Sequence, residues 1–191
     1  PQVRSVLVVA KRVPEGPFHS HSPIPYSVVN DVILAEVARL VCALCVQLER
    51  LDHLCAVPVP SEPYEYWDGP NREGRGLLSL KHAGWLAGLG VMGKNTLLTS
   101  REFGNRICLG AILLDIKLEG DAMADYQLCN GNCRRCVEAC PAQALDGLTV
   151  NQKLCRGHSQ GRTTKGEPIY ICYRCRVVCP NGKGTQVTAS A

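Results

Sequence analysis

Residues 129–141 read CNGNCRRCVEACP, and residues 172–180 read CYRCRVVCP. Each run closes on Cys-Pro, and Cys155 stands between them, with 16 residues separating it from Cys172. Eight of the chain's 12 cysteines therefore lie between positions 129 and 179, whereas Cys42, Cys45, Cys55 and Cys108 are scattered upstream. From Asp121 onward apolar runs disappear, and cysteine, glycine, arginine and proline take their place. That is too little hydrocarbon for an independent core, and a metal centre can supply the missing free energy. The spacing thus divides the chain near Leu118 to Asp121, into residues 1–120 and a cysteine module at 121–191.

Paired runs of C-x2-C-x2-C-x3-C-P hold two [4Fe–4S] cubes in bacterial-type ferredoxins, the fourth cysteine of each run ligating the other cube. Proline after that cysteine has no N–H to donate and turns the chain away. The same rule here leaves nothing over. One cube takes Cys129, Cys133, Cys136 and Cys179; the other takes Cys140, Cys155, Cys172 and Cys175. Two departures, the three-residue gap Asn130-Gly131-Asn132 and the remote Cys155, are loop adjustments of small entropic cost. A pair of zinc knuckles is the competing assignment, but it leaves the repeated x3-Cys-Pro extension unexplained.

The rest of the composition sets wider bounds. At 191 residues with 46% hydrophobic side chains, the chain has room for one ordinary domain and a small module. The net charge of +4 permits an anionic partner such as RNA, yet solvated lysines and arginines explain it equally well. No run approaches the roughly 18 apolar residues of a membrane span. Val6 to Ala10 is too short for the core of a signal peptide. Clustered thiols without a secretion signal point to the reducing cytoplasm and to metal rather than disulfides. The chain opens at Pro1, directly before an apolar run, so a further N-terminal element is expected.

Upstream, Val6 to Ala10 reads as a strand buried on both faces. Val29, Ile33, Val37, Leu40, Val41, Leu44 and Leu48 recur at helical spacing and predict a helix over roughly Ser27 to Arg50. Cys55 to Val59 predicts a short strand, Leu77 to Leu89 a helix and Arg106 to Asp115 a buried strand. Glu62 to Gly76 reads as a long loop carrying Tyr64, Tyr66 and Trp67, which stack on a flat ligand or pack beneath the loop. Helix alternating with apolar strand makes residues 1–120 an α/β layer domain.

Gly88-Leu89-Gly90-Val91-Met92-Gly93-Lys94-Asn95 imitates both a dinucleotide fingerprint and a P-loop. Both need a strand before the glycines and a helix after them, and Leu80 to Ala87 looks helical instead. The turn could still present Gly90, Gly93, Lys94 and Asn95 to an anionic cofactor edge. Cys42 and Cys45 form a C-x-x-C late in the long helix, where buried core thiols are expected, and the same holds for Cys108. His19, His21 and His82 read as solvated histidines before they read as ligands.

The segments Leu86 to Leu98, Glu102-Phe103-Gly104 and Leu109 to Asp115, with Cys140-Pro141 and Cys179-Pro180-Asn181 downstream, resemble the epoxyqueuosine reductase family over residues 85–182. The resemblance implies an α+β protein: a nitroreductase-like α/β domain carrying cobalamin, fused to a bacterial 2[4Fe–4S] ferredoxin-like module and akin to reductive dehalogenases. Electrons would pass from the clusters to cobalt, with Gly88 to Leu98 lining the cobalamin pocket. An ungapped match sets the family's proton-donating aspartate at Gly74, between Glu73 and Arg75. Leu80-Lys81-His82-Ala83 resembles shorter relatives known only as iron–sulfur proteins. The expected function is an iron–sulfur oxidoreductase, fed by a ferredoxin- or flavodoxin-type donor, with tRNA as a partner by resemblance. The other reading is a non-catalytic electron carrier or maturation partner.

Overall fold

A computed structural model describes residues 2–52 and 54–185. Its centre is a three-stranded antiparallel sheet in the order β1-β7-β2: β1 is Ser5–Arg12, β2 is Ala56–Val59 and β7 is Ile107–Leu114. Pairing runs from Ser5↔Leu114 to Arg12↔Ile107 on one side and from Ala56↔Leu114 to Val59↔Ala111 on the other. The middle strand is an unbroken apolar run because both of its faces are covered. On one face, Cys108, Ile112 and Leu114 meet helix α1 (Ile24–Asp52) through Ile33, Val37, Val41 and Cys45. On the other, Ile107 and Leu109 pack with Leu98 and Leu80, the latter on helix α2 (Leu80–Leu86). Fully burying side chains such as Val37, Val41 and Ile112 contributes about 1.5–3 kcal/mol each.

Several expectations need correction. β1 is not buried on both faces: it is an edge strand, and its Val6 is exposed. Helix α1 begins earlier, at Ile24; Ser22 accepts the Ile24 N–H at 3.2 Å, and Pro25 fits a first turn that has no carbonyl partner for its nitrogen. Its Leu40 is exposed because the buried stripe runs through Val37, Val41 and Cys45; Cys42, one residue on from Val41, also faces outward. The long loop holds a two-stranded hairpin, β3 (Tyr66–Asp68) with β4 (Glu73–Arg75).

After α2 the chain makes a second hairpin, β5 (Val91–Met92) with β6 (Leu98–Thr99), around the Gly93 to Leu97 turn. No strand precedes Gly88 and no helix opens at Gly93, so the nucleotide-motif arrangement is absent from this segment. Downstream of β7 the elements are short: α3 (Arg135–Glu138), α4 (Gln152–Ser159), the hairpin β8 (Gln160–Arg162) with β9 (Pro168–Tyr170), and α5 (Arg174–Val177). Among the described residues no helix is long and apolar enough to cross a membrane.

Candidate metal centre

All twelve cysteines are free thiols, and the eight downstream ones fall into two neighbourhoods. Cys179 neighbours Cys136, Cys129 and Cys133, and Cys136 neighbours Cys129 and Cys133, closely enough that a charge on one would raise the next. Cys155 feels Cys140 and Cys172, while Cys175 feels Cys155 and Cys172. Cys129, Cys133, Cys136 and Cys179 thus line one cavity, while Cys155 neighbours Cys140 and Cys172, and Cys175 neighbours Cys155 and Cys172. The two sets adjoin, because Cys175 also feels Cys136. One helical turn separates the last two cysteines of each run: Cys136 lies in α3 before Cys140, and Cys175 lies in α5 before Cys179.

Burial pushes these thiols up, Cys175 to about 11 and Cys136, Cys155 and Cys179 in the same direction. As free thiols they hold their protons, and metal binding would release them. Donors are already aimed at several sulfurs. The Ala144 N–H points to Cys140 Sγ at 3.3 Å. Backbone N–H groups at Asn181 and Val137 favour thiolates at Cys179 and Cys136, and Ser159 does so at Cys155. Among the described residues no three His, Cys, Asp or Glu side chains stand close enough to hold a single metal ion.

The glycine-rich turn faces this module. Gly93, Lys94 and Asn95, with Val91 and Thr99, line one cavity together with Cys129, Cys133, Cys136 and Cys179. Lys94 Nζ donates to the carbonyls of Cys133 at 3.0 Å and Asn130 at 3.4 Å, and to that of Gly131. Asn95 is buried; its Nδ2 donates to the Cys175 carbonyl at 3.3 Å while its Oδ1 accepts the Leu97 N–H at 3.2 Å. Gly90 lies against the Thr99 backbone, where a Cβ would stand 2.4 Å from the carbonyl oxygen. The polar ends of Lys94 and Asn95 are thus committed to the cysteine loops.

The remaining candidates lie elsewhere. Tyr64 and Trp67 stack at 5.8 Å between ring centroids, Arg156 of α4 sits over both rings, and its Nη2 donates to the Tyr64 hydroxyl at 2.9 Å. Gly74 passes beneath Tyr64 so closely that a Cβ would lie 2.8 Å from the ring. Glu73 beside it is paired with Arg75 at 2.9 Å. His19 pairs with Glu15 at 2.8 Å, His82 shares a hydrogen with Ser79 at 2.6 Å, and His21 is exposed. Sequence reading missed Asn105. It is 1% exposed, its carboxamide has no partner, and it borders a cavity of about 290 Å³ shared with Lys81, Cys108 and Arg176. An asparagine ahead of an apolar strand carries no signal of burial.

No family model matches the chain. Among curated proteins, the epoxyqueuosine reductase of Lactococcus garvieae is 40% identical over 108 residues, covering 51% of this chain and 30% of that protein. The chain is similar to epoxyqueuosine reductases. The Listeria monocytogenes epoxyqueuosine reductase is 37% identical over 108 residues, 51% of this chain and 28% of that one. The Synechocystis epoxyqueuosine reductase is 51% identical over 70 residues, or 36% and 24%. The Streptococcus thermophilus epoxyqueuosine reductase structure superposes with a TM-score of 0.62 at 23% identity, covering 94% of this chain and 50% of that one. A structure of an epoxyqueuosine reductase with an epoxyqueuosine-modified tRNA-Tyr stem loop gives 0.63 at 19%, covering 95% and 49%. At those identities the likeness is one of fold, a mixed α and β arrangement. The chain spans about half the length of these solved epoxyqueuosine reductases and about 30% of the first curated one.

Proposed function

We propose that this chain is an iron–sulfur oxidoreductase of the epoxyqueuosine reductase kind, in which two [4Fe–4S] clusters relay electrons to an acceptor held by residues 1–120. The carrying observation is the pair of adjoining thiol quartets. Four soft thiolates with N–H donors aimed at the sulfurs suit an iron–sulfur cube. In this reading Cys129, Cys133, Cys136 and Cys179 hold one cluster, and Cys140, Cys155, Cys172 and Cys175 the other. When bound, each supplies one-electron reduction and oxidation at low potential. In this reading residues 121–191 form the ferredoxin-like module and 1–120 the nitroreductase-like domain, and the clustered thiols suit a reducing cytoplasm.

Cobalamin does not fit the four residues first expected to border it. Gly90 is filled by backbone, Gly93 lies on the cysteine cavity, and Lys94 and Asn95 are spent on cysteine-loop carbonyls. The acceptor belongs instead at the Asn105 cavity, whose wall includes Arg176, the neighbour of Cys175 in the chain. At about 290 Å³ it matches the small end of ligand pockets and a polar fragment rather than a whole corrin. The unpartnered Asn105 amide and Lys81, whose pKa burial lowers, supply polar groups there. A tRNA partner enters this proposal through the solved relative alone.

One observation favours the second reading, a non-catalytic electron carrier. The position matched to the proton-donating aspartate is Gly74, and the Tyr64 ring leaves it no room for a side chain. Titration of the reconstituted, prereduced protein with cobalamin, FMN, FAD and an epoxyqueuosine-bearing stem loop separates the two. Binding of one of them with reoxidation of the clusters supports the oxidoreductase; reoxidation by none of them leaves the carrier.

A further inference from the structure

The positive charge of this protein is not spread evenly. Residues 1–120 carry twelve lysines and arginines against twelve acidic residues, whereas residues 121–191 carry nine against five. The surplus that gives the chain its net +4 therefore lies on the cysteine module. Within it, one concave face of about 550 Å³ has Cys172 on its floor. Its lining includes the exposed apolar residues Pro141, Ile171 and Val177 together with exposed Arg174 and His158. The floor is stiff: Tyr173 stacks on Tyr26 with centroids 4.1 Å apart and meets Phe18 edge-on at 5.8 Å. Exposed apolar side chains beside an arginine, on the net-positive module, have the composition of a protein-docking surface.

We propose that this face receives an acidic one-electron carrier protein, and that electrons enter through Cys172. The inference rests on the iron–sulfur reading above. Cys172 is the thiol of its quartet that borders this face together with Arg174, so a docked carrier comes within a side chain's reach of that cluster. The other quartet is turned inward, facing Gly93, Lys94 and Asn95. In each transfer the reduced carrier loses one electron and the Cys172 cluster gains it. Electrostatic steering toward a cationic surface raises the association rate and makes it sensitive to salt.

The test is stopped-flow reduction of the reconstituted full chain by reduced flavodoxin, an acidic carrier, and in parallel by reduced methyl viologen. Raising the ionic strength should slow flavodoxin reduction of the unaltered protein at least about tenfold. Arg174→Glu and His158→Glu should each slow it at low salt and flatten its salt dependence, without slowing reduction by viologen. Lys165→Glu, on the β8–β9 turn, should change neither rate. Salt-independent flavodoxin reduction of the unaltered protein overturns the proposal even if a variant fails to assemble its clusters. So does Arg174→Glu that keeps the flavodoxin rate but loses binding of an RNA stem loop, which assigns the face to nucleic acid. Failure of viologen itself to reduce the protein would instead refute the underlying electron-transfer reading.

Discussion

Asn95 donates its side-chain amide to the backbone carbonyl of Cys175 at 3.3 Å, eighty positions further along the chain. That bond joins the β5–β6 turn to the second cysteine run, and it is part-buried. Replacing Asn95 with Ala removes it and the cap on the Leu97 N–H, leaving polar backbone groups without partners. A loss of about 1–3 kcal/mol is expected. Denaturant titration of wild type and variant measures it, and an unchanged midpoint would show that the bond carries no weight.

Lys94 performs the matching task for the first run, gathering the carbonyls of Asn130, Gly131 and Cys133 around one ammonium group. Lys94→Met keeps the stem's bulk and removes all three bonds. The loop bearing Cys129 and Cys133 then loosens, while the Cys172 quartet keeps its own supports. Iron retained after gel filtration should fall from about eight toward four per chain in the variant. Equal loss from both clusters, resolved by EPR, would contradict a local role.

Glu15 accepts from Lys183 and His19, and Arg106 Nη1 lies 3.3 Å away as an ion partner without hydrogen-bond alignment. The Lys183 and His19 bonds hold its carboxyl down at about 2, from an ordinary 4.5. Because the folded value is depressed, its stabilisation is complete above the unfolded value and is lost as pH falls from about 4.5 to about 2. Glu15→Gln should therefore lower stability at neutral pH and narrow its gap to wild type as acid is added. Parallel acid-unfolding curves across that window would count against this.

Gly104 sits at φ +61°, and a Cβ there would lie 2.3 Å and 2.4 Å from the carbonyl oxygens of Gly182 and Asn181. Backbone fills that space, so Gly104→Ala must displace the segment following Cys179-Pro180. Where such a change is tolerated it stabilises by up to about 1 kcal/mol; at this positive φ it should destabilise by more than that. Thermal unfolding of the holo-protein reads it, and an unaltered Tm would place the segment elsewhere.

Much of this organisation was legible in the residues. Val37 and Val41 sit in a helical period, and Ile107 to Leu114 form a continuous apolar run, so hydrophobic pattern alone locates the central strand and its helix. The edge status of β1 was not legible, because Val6 to Ala10 looks the same whether one face or two are covered. The cysteine spacing drew attention to eight thiols because short gaps are a local signal. The orientation of Lys94 and Asn95 was hidden, since their carbonyl partners lie 36 to 80 positions away and a backbone carbonyl has no residue identity. Asn105 was hidden for a related reason: its isolation depends on what surrounds it.

The central claim is that the two thiol quartets hold two [4Fe–4S] clusters. Iron and sulfide analysis with EPR of the reduced protein, on wild type beside Cys155→Ala, tests it most directly. About eight irons and eight sulfides per chain are expected in wild type, with spin coupling between neighbouring clusters. Cys155→Ala should lose the cluster of Cys140, Cys172 and Cys175 and keep an uncoupled signal from the other. Stoichiometric zinc without sulfide, or a Cys155→Ala protein with both clusters unchanged, would contradict the account.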